Sequence, residues 1–230
     1  MSLTLILFDI DGTLLDTSGA GRRSFGLALE QAFGWGEDAR SLTFAGATDL
    51  DLLERIAQRH GRTLGPAEVN DFFARLPDTL RTALATEPPH VYPGVRALLE
   101  TLSSRPGVCL GLVTGNIESC AWVKLEACGL HGHFSLGAYG HEHADRRLIA
   151  RLARQRAEQA LEAGQTFRAS FLMGDTPSDV AAALAIGATA IAVATGGFEE
   201  ARLREAGAHH VLATLQDTAG LLALLGLDPG

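Results

Sequence analysis

Residues 3–13 read Leu-Thr-Leu-Ile-Leu-Phe-Asp-Ile-Asp-Gly-Thr. The first six residues of this stretch form a short, continuous apolar run, which is typical of a strand buried on both faces of a sheet. The run ends in two acidic residues, Asp9 and Asp11, where a purely structural sheet would need only turn-forming residues. Because ligands bind at the carboxyl ends of parallel strands, the stretch predicts a buried strand that leads into a functional cleft.

Similar apolar runs recur along the chain and alternate with helical patterns. This alternation predicts an α/β fold with a parallel sheet, helices on both faces and right-handed crossovers. The further predicted strands lie at 108–113, around 134–139, at 169–173 and at 189–194. The helices between them are predicted at 93–102, 118–128, 146–163 and 178–186.

One segment, residues 17–91, shows no convincing strand pattern. It contains helical stretches at 22–33, 49–59, 66–76 and 78–85. We therefore predict a small all-helical cap domain at 17–91, inserted into a catalytic core made of residues 1–16 and 92–230. The alternative is that the segment is a helical edge of a single domain.

Composition excludes several classes of protein. With 230 residues, 47% hydrophobic and 20% charged, the chain can bury a sizeable core and is not a disordered chain. No apolar run approaches the roughly 18 residues of a membrane span. A net charge of −8 without a basic cluster disfavours nucleic acid and anionic membranes as partners. Three cysteines fit a reducing compartment, so we expect a cytoplasmic protein.

Acidic side chains follow two of the predicted strands. Asp9 and Asp11 are two residues apart in an extended chain and therefore point the same way. At about 4 Å and an effective dielectric constant near 20, such a pair costs roughly 4 kcal/mol. Asp175 and Asp179 would add to the same cleft, and this crowding predicts a hard divalent cation, Mg²⁺. The alternative is that each aspartate caps a helix or turn.

A metal beside these acids would permit phosphoryl transfer. Asp9 can attack phosphorus as a nucleophile, and Asp11 can protonate the leaving alkoxide and later deprotonate water. Residues Thr114, Gly115 and Asn116 follow the second predicted core strand and could bind the phosphate through a hydroxyl and backbone N–H groups. Thr114 has an ordinary alternative role as a helix N-cap.

A basic side chain should also reach the phosphate, and three are candidates. Lys124 lies eight residues into the helix that starts near Asn116, so its backbone is about 12 Å from the helix start and its reach is predicted to be poor. Arg146 follows Asp145 at the start of the next helix and is preferred. Arg147 is the third candidate, and a solvated arginine is the alternative for each arginine.

The quoted motifs together resemble those of the haloacid dehalogenase superfamily, specifically its phosphatases similar to phosphoglycolate phosphatase. Residues 9–14, 113–116 and 174–179 resemble the first, second and fourth motifs. The resemblance implies a Rossmann-like core with a helical cap, bound magnesium, Asp9 as nucleophile and Asp11 as acid and base. It also implies metal ligation by Asp9, the backbone carbonyl of Asp11, Asp175 and, through water, Asp179.

The third motif departs from that family. The family usually has lysine followed by proline there, whereas residues 141–147 of this chain read His-Glu-His-Ala-Asp-Arg-Arg. An arginine keeps the charge but changes the geometry of the contact. The assignment of Arg146 to this role is therefore a hypothesis from the residue's position.

The expected function is that of a magnesium-dependent phosphatase, a phosphoric monoester hydrolase acting on a small phosphorylated metabolite through an aspartyl-phosphate. Three cap residues, Arg22, Arg23 and Thr48, are candidates for substrate specificity, although exposed arginines and a helix-capping threonine are the plainer interpretations. Two rival functions remain. One is a phosphosugar mutase, and the other is a non-catalytic protein that senses phosphate or binds a partner.

Overall fold

The apolar runs form a six-stranded parallel sheet in the computed structural model, which describes residues 2–227. Its strand order is β5-β4-β1-β6-β7-β8. The outermost residues of the predicted core, 1 and 228–230, lie outside the described residues. The strands of this sheet are β1 (Ser2–Phe8), β4 (Val108–Val113), β5 (Leu136–Ala138), β6 (Thr166–Gly174), β7 (Thr189–Val193) and β8 (His210–Leu212). A separate ribbon pairs β2 (Leu15–Asp16) with β3 (His90–Val91).

Strand β1 pairs in parallel with both β4 and β6, so it has no free edge. Its side chains alternate between two apolar cores: Ile6 and Phe8 belong to one, and Leu5 and Leu7 to the other. Burial on both faces explains why this strand reads as a continuous apolar run rather than an alternating one.

Helices cover both faces of the sheet, as the sequence predicted. One face is covered by α4 (Val95–Ser103), α5 (Glu118–Ala127) and α9 (Thr218–Leu224). The other is covered by α6 (Arg146–Gln159), α7 (Pro177–Ala185) and α8 (Glu200–Glu205). The predicted α/β class is thereby confirmed. Within residues 2–227, no helix combines the length and apolar character that a membrane crossing needs.

The inserted segment contains three α-helices that pack around one apolar core. They are α1 (Ala20–Phe33), α2 (Asp49–Arg59) and α3 (Pro66–Thr86). Phe25 and Phe72 meet edge to face in this core, with ring centroids 5.0 Å apart. Ile117 and Val123, at the start of and within α5, belong to the same apolar cluster, so the helical insertion packs directly on that core helix.

The predicted break between helices at 66–76 and 78–85 is wrong. Helix α3 continues through Pro77, although proline removes one helical hydrogen bond. Its buried residues Phe72, Leu76, Leu80 and Leu84 recur every fourth position. Packing of this continuous apolar stripe against α1 outweighs the local effect of the proline.

Three short elements in the C-terminal part of the chain were not predicted. Strand β8 has three residues and a single partner, β7, while α8 and α9 have six and seven residues. Elements of this length carry too few residues to show a clear hydrophobic period.

Substitution of Leu53 tests whether the apolar core of the inserted helices contributes to stability. Leu53 is fully buried, so Leu53→Ala should lower the free energy of unfolding by about 2–5 kcal/mol. Leu27→Ala is the matched control because Leu27, on α1, is 44% exposed, and it should change stability by less than about 0.5 kcal/mol. Urea unfolding measures both, and equal losses would contradict the packing described.

Candidate active site

A cavity of about 550 Å³ lies between the carboxyl ends of the core strands and the inserted helices. Asp9 and Asp175 line it from the sheet, and Phe25, Phe44 and Leu52 line it from the helical insertion. The residues that follow β1, β4 and β6 therefore meet at one edge of the sheet, as expected for parallel strands.

Three buried carboxylates form an acid cluster, which consists of Asp9, Asp175 and Asp179. One oxygen from each lies within 4.8 Å of the others. Burial raises the pKa of Asp9 and of Asp175 above the ordinary value, and the neighbouring carboxylates raise both further. The structure thus brings these three predicted acids together and imposes a large electrostatic cost on their ionised forms.

Arg146 supplies the positive charge that faces the acid cluster from the protein. It is the first residue of α6, and its Nη2 donates to Asp9 and to the backbone carbonyl of Val113 at 3.2 Å. The same nitrogen lies 2.7 Å from Asp179 Oδ1. Arg147 instead pairs with Asp145 at the surface. The preference for Arg146 over Arg147 as the base in the cleft therefore agrees with the structure.

The residues present fit a divalent cation. Although Asp179 Oδ1 is within ion-pair distance of Arg146, the angle is not that of a hydrogen bond, and within the described chain this buried oxygen accepts none. One guanidinium faces three carboxylates, which leaves an excess of negative charge. Carboxylate oxygens are the donors that Mg²⁺ prefers. A bound cation would offset the charge excess and would give this oxygen a further partner.

Asp179 also performs the helix-capping role that was the alternative interpretation. Its Oδ2 accepts hydrogen bonds from the backbone N–H of Thr176 at 3.0 Å and from the Thr176 hydroxyl at 2.7 Å. Thr176 Oγ1 in turn accepts from the Asp179 backbone N–H, so the pair forms a capping box at the start of α7. Its second oxygen, Oδ1, faces Arg146.

The Asp11 carboxylate stands apart from the acid cluster. It accepts hydrogen bonds from Lys124 Nζ at 2.8 and 2.7 Å and from Asn116 Nδ2 at 2.7 Å. Its side chain is 40% exposed and lines the cavity. The four predicted aspartates therefore share one cleft but occupy two groups, each with its own basic residue.

The backbone distance from the helix start understated how close the Lys124 ammonium comes to the cleft. The estimate followed the backbone along α5, but helical side chains tilt toward the helix N-terminus, and the lysine side chain is long. Its ammonium therefore reaches Asp11 at the end of β1. Burial is the largest influence and favours a lower pKa for Lys124, but Asp11, Asp49 and Cys120 together outweigh it and raise the pKa above its usual range. The available signal was the placement of the chain's single lysine between two apolar residues, Val123 and Leu125.

The loop after β4 is held by its own side chains and by the helical insertion. Thr114 Oγ1 accepts hydrogen bonds from Asn116 Nδ2 at 2.8 Å and from the Asn116 backbone N–H at 3.2 Å. Thr114 is not the N-cap of α5; Asp49 Oδ2, from α2, accepts the hydrogen bond of the Ile117 N–H at 2.7 Å. Gly115 approaches the insertion so closely that a Cβ there would lie 2.0 Å from the carbonyl oxygen of Ala47.

Asp49 also lines the cavity, and the sequence alone assigned it no firm role. Burial raises the pKa of Asp49 to about 6, although the Ile117 N–H and the Lys124 ammonium oppose the rise. Its backbone N–H donates to the carbonyl oxygen of Gly115 at 2.8 Å. Asp49 thereby joins the helical insertion to the loop after β4.

The three predicted specificity residues take different positions. Arg22 lines the cavity and lies over the Phe44 ring, 4.9 Å from its centroid. Arg23 pairs with Glu87 at the surface. Thr48 is the buried N-cap of α2, and its hydroxyl donates to the carbonyl oxygen of Ala144 at 3.2 Å. The plainer interpretations therefore hold for Arg23 and Thr48, while Arg22 lies where a ligand in the cavity could be contacted.

The family follows from comparison with known proteins. A sequence model described as haloacid dehalogenase-like hydrolase matches residues 6–193, which include all the motifs above. The chain belongs to the haloacid dehalogenase-like hydrolase family. The resemblance read from the motifs is thereby confirmed.

Named relatives agree with this family assignment. A protein of Dickeya dadantii named "Probable phosphatase IndB" is 28% identical over 232 residues, which cover 97% of this chain and 96% of the relative. A phosphoglycolate phosphatase of Agrobacterium fabrum is 28% identical over 84% of this chain and 81% of its own length. These names agree with the prediction of a phosphoric monoester hydrolase.

A solved structure confirms the fold of this haloacid dehalogenase-like hydrolase. A hydrolase from Pseudomonas syringae superposes with a TM-score of 0.68 at 19% identity, covering 100% of both chains. Because the alignment includes the inserted helices, the neighbour shares both the Rossmann-like core and the helical insertion.

The acid cluster makes stability depend on pH in a defined direction. The folded chain holds protons on Asp9 and Asp175 more tightly than the unfolded chain, because both pKa values are raised on folding. Stability contributed by the protonated forms is lost as pH rises above the ordinary carboxyl range toward the raised values. In EDTA, the melting temperature should therefore fall between about pH 5 and about pH 8.

Substitution of Asp175 separates the pH dependence due to the acid cluster from that due to other titrating groups. Asp175→Asn should flatten this decline, whereas Asp71→Asn, on the exposed face of α3, should leave it unchanged. Added Mg²⁺ should raise the melting temperature of the native protein more at the higher pH, because protons compete with the cation. An identical decline in Asp175→Asn would contradict the assignment.

Proposed function

We propose that this enzyme is a magnesium-dependent phosphatase that hydrolyses a small-molecule phosphate monoester through an aspartyl-phosphate. The observation that carries the proposal is the position of Asp9. Its carboxylate lies at the end of β1, beside the other two acids of the cluster and Arg146, and it lines a cavity of about 550 Å³. This position supports a nucleophile beside carboxylates that could hold a cation, with room for a small substrate.

The acid cluster would hold the metal, together with the backbone carbonyl of Asp11. Bound Mg²⁺ supplies the positive charge that allows a phosphate dianion to approach the carboxylates. Burial raises the pKa of Asp9 to about 7, which supports a need for nearby positive charge if this carboxylate is to act as a nucleophile.

Two displacements at phosphorus complete the reaction. The Asp9 carboxylate attacks phosphorus, and the bond from phosphorus to the ester oxygen breaks. The departing alkoxide takes a proton from Asp11, which enters this step as the carboxylic acid and leaves it as the carboxylate. Water then attacks the phosphorus of the aspartyl-phosphate and gives its proton to Asp11. Inorganic phosphate leaves and the Asp9 carboxylate is restored.

Arg146 is the basic residue best placed to contact the phosphate. It is 6% exposed and it lines the cavity at the acid cluster. Arginine can pair with two phosphate oxygens at once. Thr114, Gly115 and Asn116 would add contacts from the loop after β4, although the side-chain amide of Asn116 already donates to Asp11 and to Thr114.

Residues 17–91 would act as the cap over this site. The chain leaves and re-enters the core at the ribbon of β2 and β3, which supports domain boundaries near residues 16 and 92. Arg22 is the cap residue that we propose contacts the leaving group, since it lines the cavity. The three cysteines are free, which supports the cytoplasmic location expected from the sequence.

Replacement of the nucleophile tests the proposal directly. Asp9→Asn should lower kcat for an aryl phosphate by at least about 10³-fold, because a neutral amide cannot form the aspartyl-phosphate. Asp78→Asn, on the exposed face of α3, is the matched control and should retain full activity. Release of inorganic phosphate and circular dichroism measure activity and folding. Turnover retained by a folded Asp9→Asn variant would remove Asp9 from this role.

The products separate the phosphatase from its rivals. A panel of phosphorylated metabolites should yield free phosphate for at least one member, and that release should be abolished by EDTA and restored by Mg²⁺. A mutase would instead move phosphate to another hydroxyl of the same sugar. No turnover of any ester, combined with phosphate binding, would favour the non-catalytic alternative.

A further inference from the structure

Lys124 is a buried cation that the family motifs leave without a role in this chain. It lies on α5, is 3% exposed and contacts the Asp11 carboxylate with its ammonium group. Burying a lysine costs free energy unless its charge is paired, so the partners of Lys124 explain how it can be buried here. The partner is the residue proposed above as acid and base.

The contacts of Lys124 indicate that it positions another group and does not bind substrate. An ammonium has three N–H donors. Lys124 Nζ lies 2.8 and 2.7 Å from the two oxygens of Asp11 and 2.6 Å from Asn116 Oδ1. These three acceptors engage all three donors, so a substrate oxygen could be bound only by breaking one of these contacts.

Asn116 completes the same arrangement. One of its amide hydrogens goes to Asp11 Oδ2 at 2.7 Å and the other to Thr114 Oγ1 at 2.8 Å, while its Oδ1 accepts from Lys124. Asp11 is therefore held by two residues that are themselves fully engaged. These contacts fix the Asp11 carboxylate on one side of the cavity. We call this the α5 side and define it by Lys124 and Asn116.

A competing position for the Asp11 carboxylate exists nearby. Asp11 is two residues from Asp9, it lies beside a cluster suited to a divalent cation, and its side chain is 40% exposed to the cavity. A cation bound there would attract a free carboxylate, because opposite charges attract over these short distances. A carboxylate drawn into the cluster could no longer reach the leaving oxygen.

We propose that Lys124 is a positioning residue that holds the Asp11 carboxylate at the α5 side of the cavity and keeps it out of the acid cluster. The catalytic consequence of this restraint depends on the proposed function. The restraint itself depends only on the contacts described here. The two can therefore be tested by separate measurements.

The first test compares esters with different leaving groups. Lys124→Met keeps the length of the side chain and removes the charge. It should lower kcat/KM for an alkyl phosphate by at least about tenfold and for p-nitrophenyl phosphate much less, because an alkoxide needs a proton from Asp11 and a nitrophenolate does not. Glu126→Gln, an exposed change of one charge on the same helix, is the control and should have no effect.

A double-mutant cycle then asks whether Lys124 acts through Asp11. In an Asp11→Asn background, Lys124→Met should cost nothing further, because the group it positions is gone. Equal losses for both esters, or a loss that persists in the Asp11→Asn background, would each overturn the proposal. Such results would assign Lys124 to substrate binding or to the fold.

The second test needs no turnover. If Lys124 keeps Asp11 out of the acid cluster, Lys124→Met should bind Mg²⁺ about tenfold more tightly by calorimetry, because one more carboxylate becomes available. The gain should be lost in the Asp11→Asn background. An unchanged affinity, or the same gain in both backgrounds, would overturn the proposal. If the native protein hydrolyses no ester, the proposed function fails, and this titration still decides the role of Lys124.

Discussion

Repulsion among buried carboxylates is the constraint on which the rest of this structure depends. Asp9, Asp175 and Asp179 place one oxygen each within 4.8 Å of the others at the end of a parallel sheet, where burial alone raises the pKa of Asp9 and Asp175. Such an arrangement is unfavourable unless positive charge accompanies it. The surrounding elements supply part of that charge from fixed positions, through Arg146.

Two basic residues divide the acids between them. Arg146, at the start of α6, faces Asp9 and Asp179, and Lys124, on α5, pairs with Asp11. The helices that carry these bases cover opposite faces of the sheet. Each base reaches the same edge because parallel strands bring all their carboxyl ends together. This separation gives the carboxylates different surroundings, which is how similar groups acquire different chemical roles.

Backbone contacts join the inserted helices to this site. The N–H groups of Asp49 and Leu50, at the start of α2, donate to the carbonyl oxygens of Gly115 and Gly140 at 2.8 and 3.1 Å. A Cβ at Gly115 would lie 2.0 Å from the carbonyl oxygen of Ala47, so glycine is required there for the close approach of these two segments of the chain. A residue expected to bind phosphate thus also permits contact between core and insertion.

The parallel sheet, the helical insertion and the convergence of Asp9, Asp175 and Asp179 could all be predicted from the sequence. Strand periodicity and acidic residues at strand ends are local features of the sequence, and a parallel sheet brings those strand ends to one edge. The sequence did not determine the continuity of α3 through Pro77, since packing of a long apolar stripe outweighed a local helix-breaking preference. Only the tertiary structure decided that Lys124 reaches Asp11, because a side chain's reach depends on its direction from the helix and on where a distant strand ends.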